Sequence, residues 1–313
     1  MKILRHILKR DDFHVPSPIV TLGNFDGVHL GHQAVLQKVD EAARIANGRS
    51  VVVTFEPHPL QILAPQSAPR LLLTLKDKLK LLRAHGVGVA VVQRFDEGFA
   101  SLTADAFVQD YLVRRLRARQ VWVGRDLRFG KDRRGSVDDL IRWGDRAGFT
   151  VHLVDPVKVD GVRVSSSHIR ALLEKGLVTE TRRFLGRHYS ISGRVVSGLG
   201  RGASLGFPTA NILPRNEIVP LDGIYATLFR VDGRDWPSVT SVGVNPTFGA
   251  GPRTVESHLF DFSGDLYRRP IELFFVRRLR EERQFKSAEL LIEQMAEDAR
   301  AARQTLGRLK EVL

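Results

Sequence analysis

Two histidines three residues apart, His29 and His32, stand on either side of Gly31 in the segment Gly23-Asn24-Phe25-Asp26-Gly27-Val28-His29-Leu30-Gly31-His32. A short apolar run at 19–23 precedes the pair and a helical pattern at 31–46 follows it, so the segment joins a strand to a helix. Such a junction aims backbone N–H groups and the positive helix end at an anion. Gly31 permits close approach of a phosphate. Residues three apart share a helix face, so both imidazoles can donate hydrogen bonds to phosphate oxygens. Gly23, Phe25 and Asp26 lie in the same turn and are candidates for phosphate binding. Structural histidines at a tight turn are the plainer alternative, and zinc lacks a third ligand nearby.

Three further segments leave strands or open helices in the first half of the chain. Thr54-Phe55-Glu56-Pro57-His58-Pro59 makes a proline-stiffened turn, with Pro57 at the edge where open α/β sheets bind ligands. In Gly124-Arg125-Asp126-Leu127-Arg128-Phe129-Gly130, Asp126 can hold a polar ring and Phe129 can cover an apolar face; a charged loop explains it equally well. Gly130-Lys131 is not a P-loop, because Arg125 and Asp132 occupy positions that motif reserves for Gly and Ser/Thr. Ser165-Ser166-Ser167-His168-Ile169-Arg170 enters a helix, where Ser165 and Ser166 can cap it or bind phosphate and Arg170 adds a fixed charge.

The second half offers a different chemistry. Gly198-Leu199-Gly200-Arg201-Gly202-Ala203-Ser204-Leu205-Gly206-Phe207-Pro208-Thr209-Ala210-Asn211 has the wrong spacing for a dinucleotide fingerprint, and Phe207-Pro208 forbids a helix opening there. A glycine-rich flap over phosphates fits, with Gly200, Gly202 and Gly206 as its contacts. Thr209 and Asn211 are two apart, so in an extended chain both oxygens can reach one metal ion. Glu256 and His258 share a strand face by the same spacing.

These segments need two kinds of scaffold. Up to about residue 175, short apolar runs alternate with helical patterns, for example 50–55 with 76–85 and 121–124 with 136–147, which implies βαβ crossovers and a mostly parallel sheet. A helix is expected to start at Thr103 and reach about Leu116. From about 188 the pattern changes to short strands between turn signals such as Asp222-Gly223, Asp232-Gly233 and Asn245-Pro246, as in an antiparallel barrel. Leu291, Met295, Ala299, Ala302, Leu306, Leu309 and Leu313 form one apolar stripe on a closing helix.

Taken in order, Gly-x-Phe-Asp-Gly-x-His-x-Gly-His, Thr-Phe-x-Pro-His-Pro, Gly-x-Asp-x-x-Phe-Gly and Ser-Ser-x-x-Ile-Arg resemble the adenylyltransferase half of the bacterial bifunctional riboflavin kinase/FAD synthetases, over roughly 15–175. Leu-Gly-Phe-Pro-Thr-Ala-Asn, with Val-Glu-x-His and Ser241-Val242-Gly243-Val244-Asn245-Pro246-Thr247, resembles their kinase half over about 187–313. Leu127, Ser167 and Arg268 depart from the family pattern. The resemblance implies a Rossmann-like nucleotidylyltransferase domain at 1–186. It implies a riboflavin kinase domain at 187–313, built as a six-stranded antiparallel β-barrel with a terminal helix. It implies ATP as co-substrate, riboflavin and FMN as substrates, and Mg²⁺. His29 and His32 would serve adenylyl transfer, and Pro57, Asp126 and Phe129 would meet the flavin. Thr209 and Asn211 would hold Mg²⁺, and Glu256 would be the kinase base.

Composition narrows the setting. The 313 residues suit about two domains, and 43% hydrophobic with 27% charged residues is ordinary for globular proteins. With no cysteine, disulfides, thiolate zinc sites and cysteine nucleophiles are excluded. A cytoplasmic protein without a secretory signal or membrane span is expected. The net charge of +13 is dense between Arg114 and Arg134. Phosphorylated small molecules account for it better than nucleic acid, since no stacking aromatics interleave the basic stretch. A monomer or weak oligomer is expected.

Overall fold

The computed structural model describes residues 1–5, 7, 14–198, 200–244 and 253–310. Leu199, the Asn245-Pro246-Thr247 turn and Leu313 of the apolar stripe lie outside the described residues, as does the side chain of Leu309. Contacts divide the chain into two compact units. One is Met1–Arg70 with Leu75–Val164, and the other is Leu71–Thr74 with Ser165–Leu313.

The first unit is built on β1 (Lys2–Arg5), β2 (Pro18–Leu22), β3 (Arg49–Glu56), β4 (Val89–Arg94), β5 (Gln120–Gly124) and β6 (Thr150–Val154). They form one sheet in the order β1-β4-β3-β2-β5-β6, with every pairing parallel. Val51, Val52 and Val53 of β3 are all fully buried, as a strand covered on both faces requires. Strand order reverses between β2 and β5. The loops leaving those two strands therefore flank the crevice where open parallel sheets bind ligands. They are the segments around His29 and around Asp126.

Two local features were not legible in advance. Strand β1 is too short and charged to show a period. A ribbon of β7 (Lys158–Val159) and β8 (Val162–Arg163) turns at Asp160-Gly161, both at positive φ, a two-residue hairpin turn. The helix expected from Thr103 does start there, with the Thr103 hydroxyl accepting from the Ala106 N–H at 3.1 Å. Beyond Ala104–Ala106 it becomes a π-helix over Phe107–Arg115, which buries Phe107, Val108, Tyr111 and Leu112.

In the second unit β9 (Tyr189–Val196), β10 (Ala210–Pro214), β11 (Gly223–Val231), β12 (Arg234–Gly243), β13 (Thr254–Leu259) and β14 (Pro270–Arg280) close into an antiparallel barrel, order β10-β13-β12-β11-β14-β9. Closure leaves no strand edge unpaired. Tyr189, Tyr225, Phe229 and Phe275 are fully buried. A buried hydroxyl chain accompanies them: Thr227 bonds Ser238 and Thr240, and Thr240 bonds Ser257, each at 2.7 Å. The terminal helix Ala288–Lys310 lays Ala302 and Leu306 against Ala226, Phe260 and Val276. Arg280 of β14 grips Asp298 of that helix through two bonds of 2.8 and 2.6 Å. Among the described residues no helix is long and apolar enough to cross a membrane.

The compact units part at 164/165, earlier than the 186/187 division expected for the activities. Helices Ser166–Glu174 and Val178–Leu185 pack with the barrel, burying Ile169, Leu173, Val178, Phe184 and Leu185. The segment Leu71–Thr74 joins them. The Leu72 carbonyl accepts from Tyr189 and Asn216, each at 3.2 Å, and the Leu71 N–H donates to Glu217 at 2.6 Å. The change of sequence pattern marks where strands replace helices, whereas the packing boundary follows buried area.

Candidate active sites

His29 is the N-cap of helix Leu30–Ile45, and its Nδ1 accepts from the His32 N–H at 3.2 Å. A neutral ring whose Nδ1 accepts carries its proton on Nε2, so His29 presents a donor there. The two imidazoles stack, with centroids 3.6 Å apart and planes 12° from parallel. Gly31 makes this possible: a Cβ there would sit 3.2 Å from the His29 ring. The turn before the pair is strained. Phe25, Gly27 and Val28 all have positive φ, and Val28 at +40° is a β-branched residue where such residues are rare. Phe25, Asp26 and Val28 are nonetheless buried. Backbone strain of this kind persists only where neighbours over-determine it.

The neighbours come from β3 and the helices that follow it. Gly23 N–H donates to the Val53 carbonyl at 3.1 Å. The Thr54 hydroxyl donates to the Asn24 carbonyl at 3.1 Å, and the Asn24 carboxamide meets His58 Nε2 at 2.9 Å. His58 in turn caps Pro59–Leu63 in a capping box with Gln61. Behind Thr54 lies Lys78, 5% exposed, whose Nζ donates to the Thr54 hydroxyl at 3.4 Å. Burial pushes the pKa of this ammonium down, while the charges of Asp26 and Glu56 push it back up. Lys78 is not among the residues that the sequence singled out. Its signal was available: with Leu75 and Leu82 it stands at i, i+3, i+7 on the buried stripe of helix Leu75–Ala84.

The residues expected to meet a flavin are placed unevenly. Pro57 is half-buried, and the Glu56–Pro57 peptide is cis. Asp126 is exposed and paired with Arg163 of β8 at 2.5 Å. Phe129, however, is only 8% exposed and packs on Phe107 and Trp143 in the main core. It exchanges two backbone bonds with Gly135, where a Cβ would lie 2.8 Å from its ring. Its ring is committed to the core, so it anchors the loop.

In the second unit Ser165 caps helix Ser166–Glu174, its hydroxyl accepting from the His168 N–H at 3.2 Å. Ser166 and Arg170 are half-buried in the first turns of that helix.

Pairing of β10 with β13 sets Asn211 directly opposite Glu256, 45 residues later in the chain. The Thr209 hydroxyl donates to one Glu256 oxygen at 3.4 Å and the Thr254 hydroxyl to the other at 3.1 Å. His258 Nδ1 meets the Pro208 carbonyl at 2.9 Å, so it holds the peptide that leads into Thr209, a role that its place on a strand face does not reveal. The glycines divide by purpose. Gly200 and Gly206 adopt positive φ in open space. Gly198 and Gly202 are there for close approach: a Cβ on Gly198 would fall 2.0 Å from Asn211 Nδ2, and one on Gly202 would lie 3.0 Å from Thr209 Oγ1. The flap between them forms a single helical turn, Arg201–Ser204. A hydroxyl and a carboxamide oxygen beside a carboxylate are hard donors that suit Mg²⁺, which keeps water and substrate oxygens as its other ligands.

Comparison with known proteins supplies a context for both constellations. A family model described as FAD synthetase matches residues 14–168, and one described as riboflavin kinase matches 185–306. The bifunctional riboflavin kinase/FMN adenylyltransferase of Escherichia coli K12 is 37% identical over 99% of both chains. That of Pseudomonas fluorescens is 41% identical over 91% of this chain and 92% of its own. A crystal structure described as a macrolide-efflux protein from Streptococcus pneumoniae superposes with a TM-score of 0.86 at 30% identity, covering 97% of this chain and 99% of that one.

Proposed function

Because this chain belongs to the family of bifunctional riboflavin kinase/FMN adenylyltransferases, we propose that its two reactions are carried by the two constellations described above. The protein is a bifunctional transferase that phosphorylates riboflavin to FMN and adenylylates FMN to FAD, using ATP in both steps. We assign adenylyl transfer to 1–186 and riboflavin phosphorylation to 187–313.

In adenylyl transfer the FMN phosphate attacks the α-phosphorus of ATP and pyrophosphate leaves. A phosphate monoester has its second pKa near about 6, so it is already an anionic nucleophile and needs no general base. The task is to neutralise and orient the triphosphate. His29 Nε2 and His32 donate to its oxygens, and Gly23, Phe25, Asp26 and Gly31 shape the turn beneath it. Ser165, Ser166 and Arg170 offer a helix N-terminus and a cation to phosphate. Pro57 and Asp126 meet the flavin, and Phe129 holds their loop in place.

In phosphorylation the nucleophile is a neutral primary alcohol. Glu256 accepts its proton as the γ-phosphoryl group transfers and ADP leaves. Thr209 and Asn211 would hold Mg²⁺, which neutralises phosphate charge when bound. Gly200, Gly202 and Gly206 let the flap lie close to the phosphates. The observation that carries this reading is the register that faces Asn211 with Glu256 while Thr209 bonds the same carboxylate.

The basic excess serves polyphosphate substrates rather than nucleic acid or a membrane, in a cytoplasmic monomer or weak oligomer. Surface ion pairs such as Arg125–Asp155 leave this excess unchanged, since each removes one charge of either sign. Incubation with riboflavin, ATP and Mg²⁺, followed by chromatographic separation, tests the assignment. FMN should appear first and FAD after it. FMN as the sole product would remove the adenylyl-transfer assignment.

A further inference from the structure

Lys78 is a buried cation that the assignment of roles leaves unused. A lysine that is 5% exposed is unusual unless paired. This one sits behind the strained turn, bonded to Thr54, whose hydroxyl in turn holds the Asn24 carbonyl. Asp26 of the turn and Glu56 at the end of β3 are the acidic groups that act on it. Removing the ammonium would withdraw its favourable charge from both carboxylates, one of them almost wholly buried. The turn would then have reason to relax away from its positive-φ geometry, and it carries His29 at its end.

We propose that Lys78 is a positioning residue for adenylyl transfer, fixing the turn 23–28 from behind through Thr54, Asp26 and Glu56 so that His29 and His32 meet the triphosphate. This rests on the assignment of adenylyl transfer to the His29–His32 turn. Lys78 touches no reacting atom. It acts by setting where the imidazoles stand, and a displacement of about 1 Å in such a group can cost on the order of 10²-fold in rate.

The test uses the full-length enzyme and reads both reactions. Lys78→Met removes the charge and keeps most of the side-chain volume. Its kcat for FMN adenylylation should fall on the order of 10²-fold, with KM for ATP changed far less and riboflavin phosphorylation unaltered. Lys78→Arg should recover much of the loss. The double variant Lys78→Met/Glu56→Gln relieves the charge imbalance that lets the turn relax and should recover part of the lost kcat. A role confined to stability predicts the opposite: normal kcat per folded molecule, or parallel loss of both activities. Either result overturns the proposal, and so does failure of both uncharged variants to fold, since Lys78 would then be a cation of the fold. Absence of FAD formation by the wild-type enzyme would instead strike the underlying assignment.

Discussion

In the proposed adenylyl-transfer site, His29 and His32 are held as a stacked pair by few residues. Gly31 gives the first ring its space, the His32 N–H fixes its tautomer, and the helix N-terminus supplies the field. Replacement of His29 or His32 by Ala should therefore lower FAD formation by about 10²–10³-fold, the usual cost of one transition-state donor. FMN formation from riboflavin should stay intact. Chromatography of products from riboflavin and from supplied FMN measures both in one experiment. At this scale the sequence was most readable where a constellation is local: His29 and His32, like Thr209 and Asn211, stand within a few positions of each other. The packing of Phe129 on Phe107 and Trp143 was not legible, because those partners lie elsewhere in the chain. Lys78 was hidden because its neighbours in sequence, Lys76 and Lys80, are surface-type residues that mask a buried stripe position.

Elements succeed or fail by what they bury. Strands β2 to β6 were legible as apolar runs because both sheet faces are covered, while β1 and the β7–β8 ribbon were not, being too short for a period to develop. The barrel order was not readable at all. The β10–β13, β11–β14 and β9–β14 pairings join strands distant in sequence, and only the register of β10 on β13 brings Asn211 to Glu256. The terminal helix is tied to β14 by Arg280 and Asp298, whose side chains are 13% and 8% exposed. Asp298→Ala leaves the guanidinium without its partner and should destabilise the barrel unit by about 3 kcal/mol, the lower end for a broken buried pair. Urea unfolding followed by far-UV circular dichroism measures this. Loss of Asp232, which pairs with Arg269 in the open, should leave the midpoint nearly unchanged.

For the molecule as a whole, the central claim is that two chemistries with different needs occupy two constellations that do not share residues. Phosphorylation of an alcohol needs a proton acceptor, and adenylylation by a phosphate does not. Glu256→Gln separates them, because it keeps the shape of the β13 side chain, still offers an oxygen to Thr209 or Thr254, and removes the base. With riboflavin and ATP the variant should form FMN some 10²–10⁴-fold more slowly, the range expected when a general base is lost. With FMN and ATP it should form FAD at close to the wild-type rate. Normal phosphorylation of riboflavin by Glu256→Gln, or loss of FMN adenylylation in the folded variant, would contradict the account.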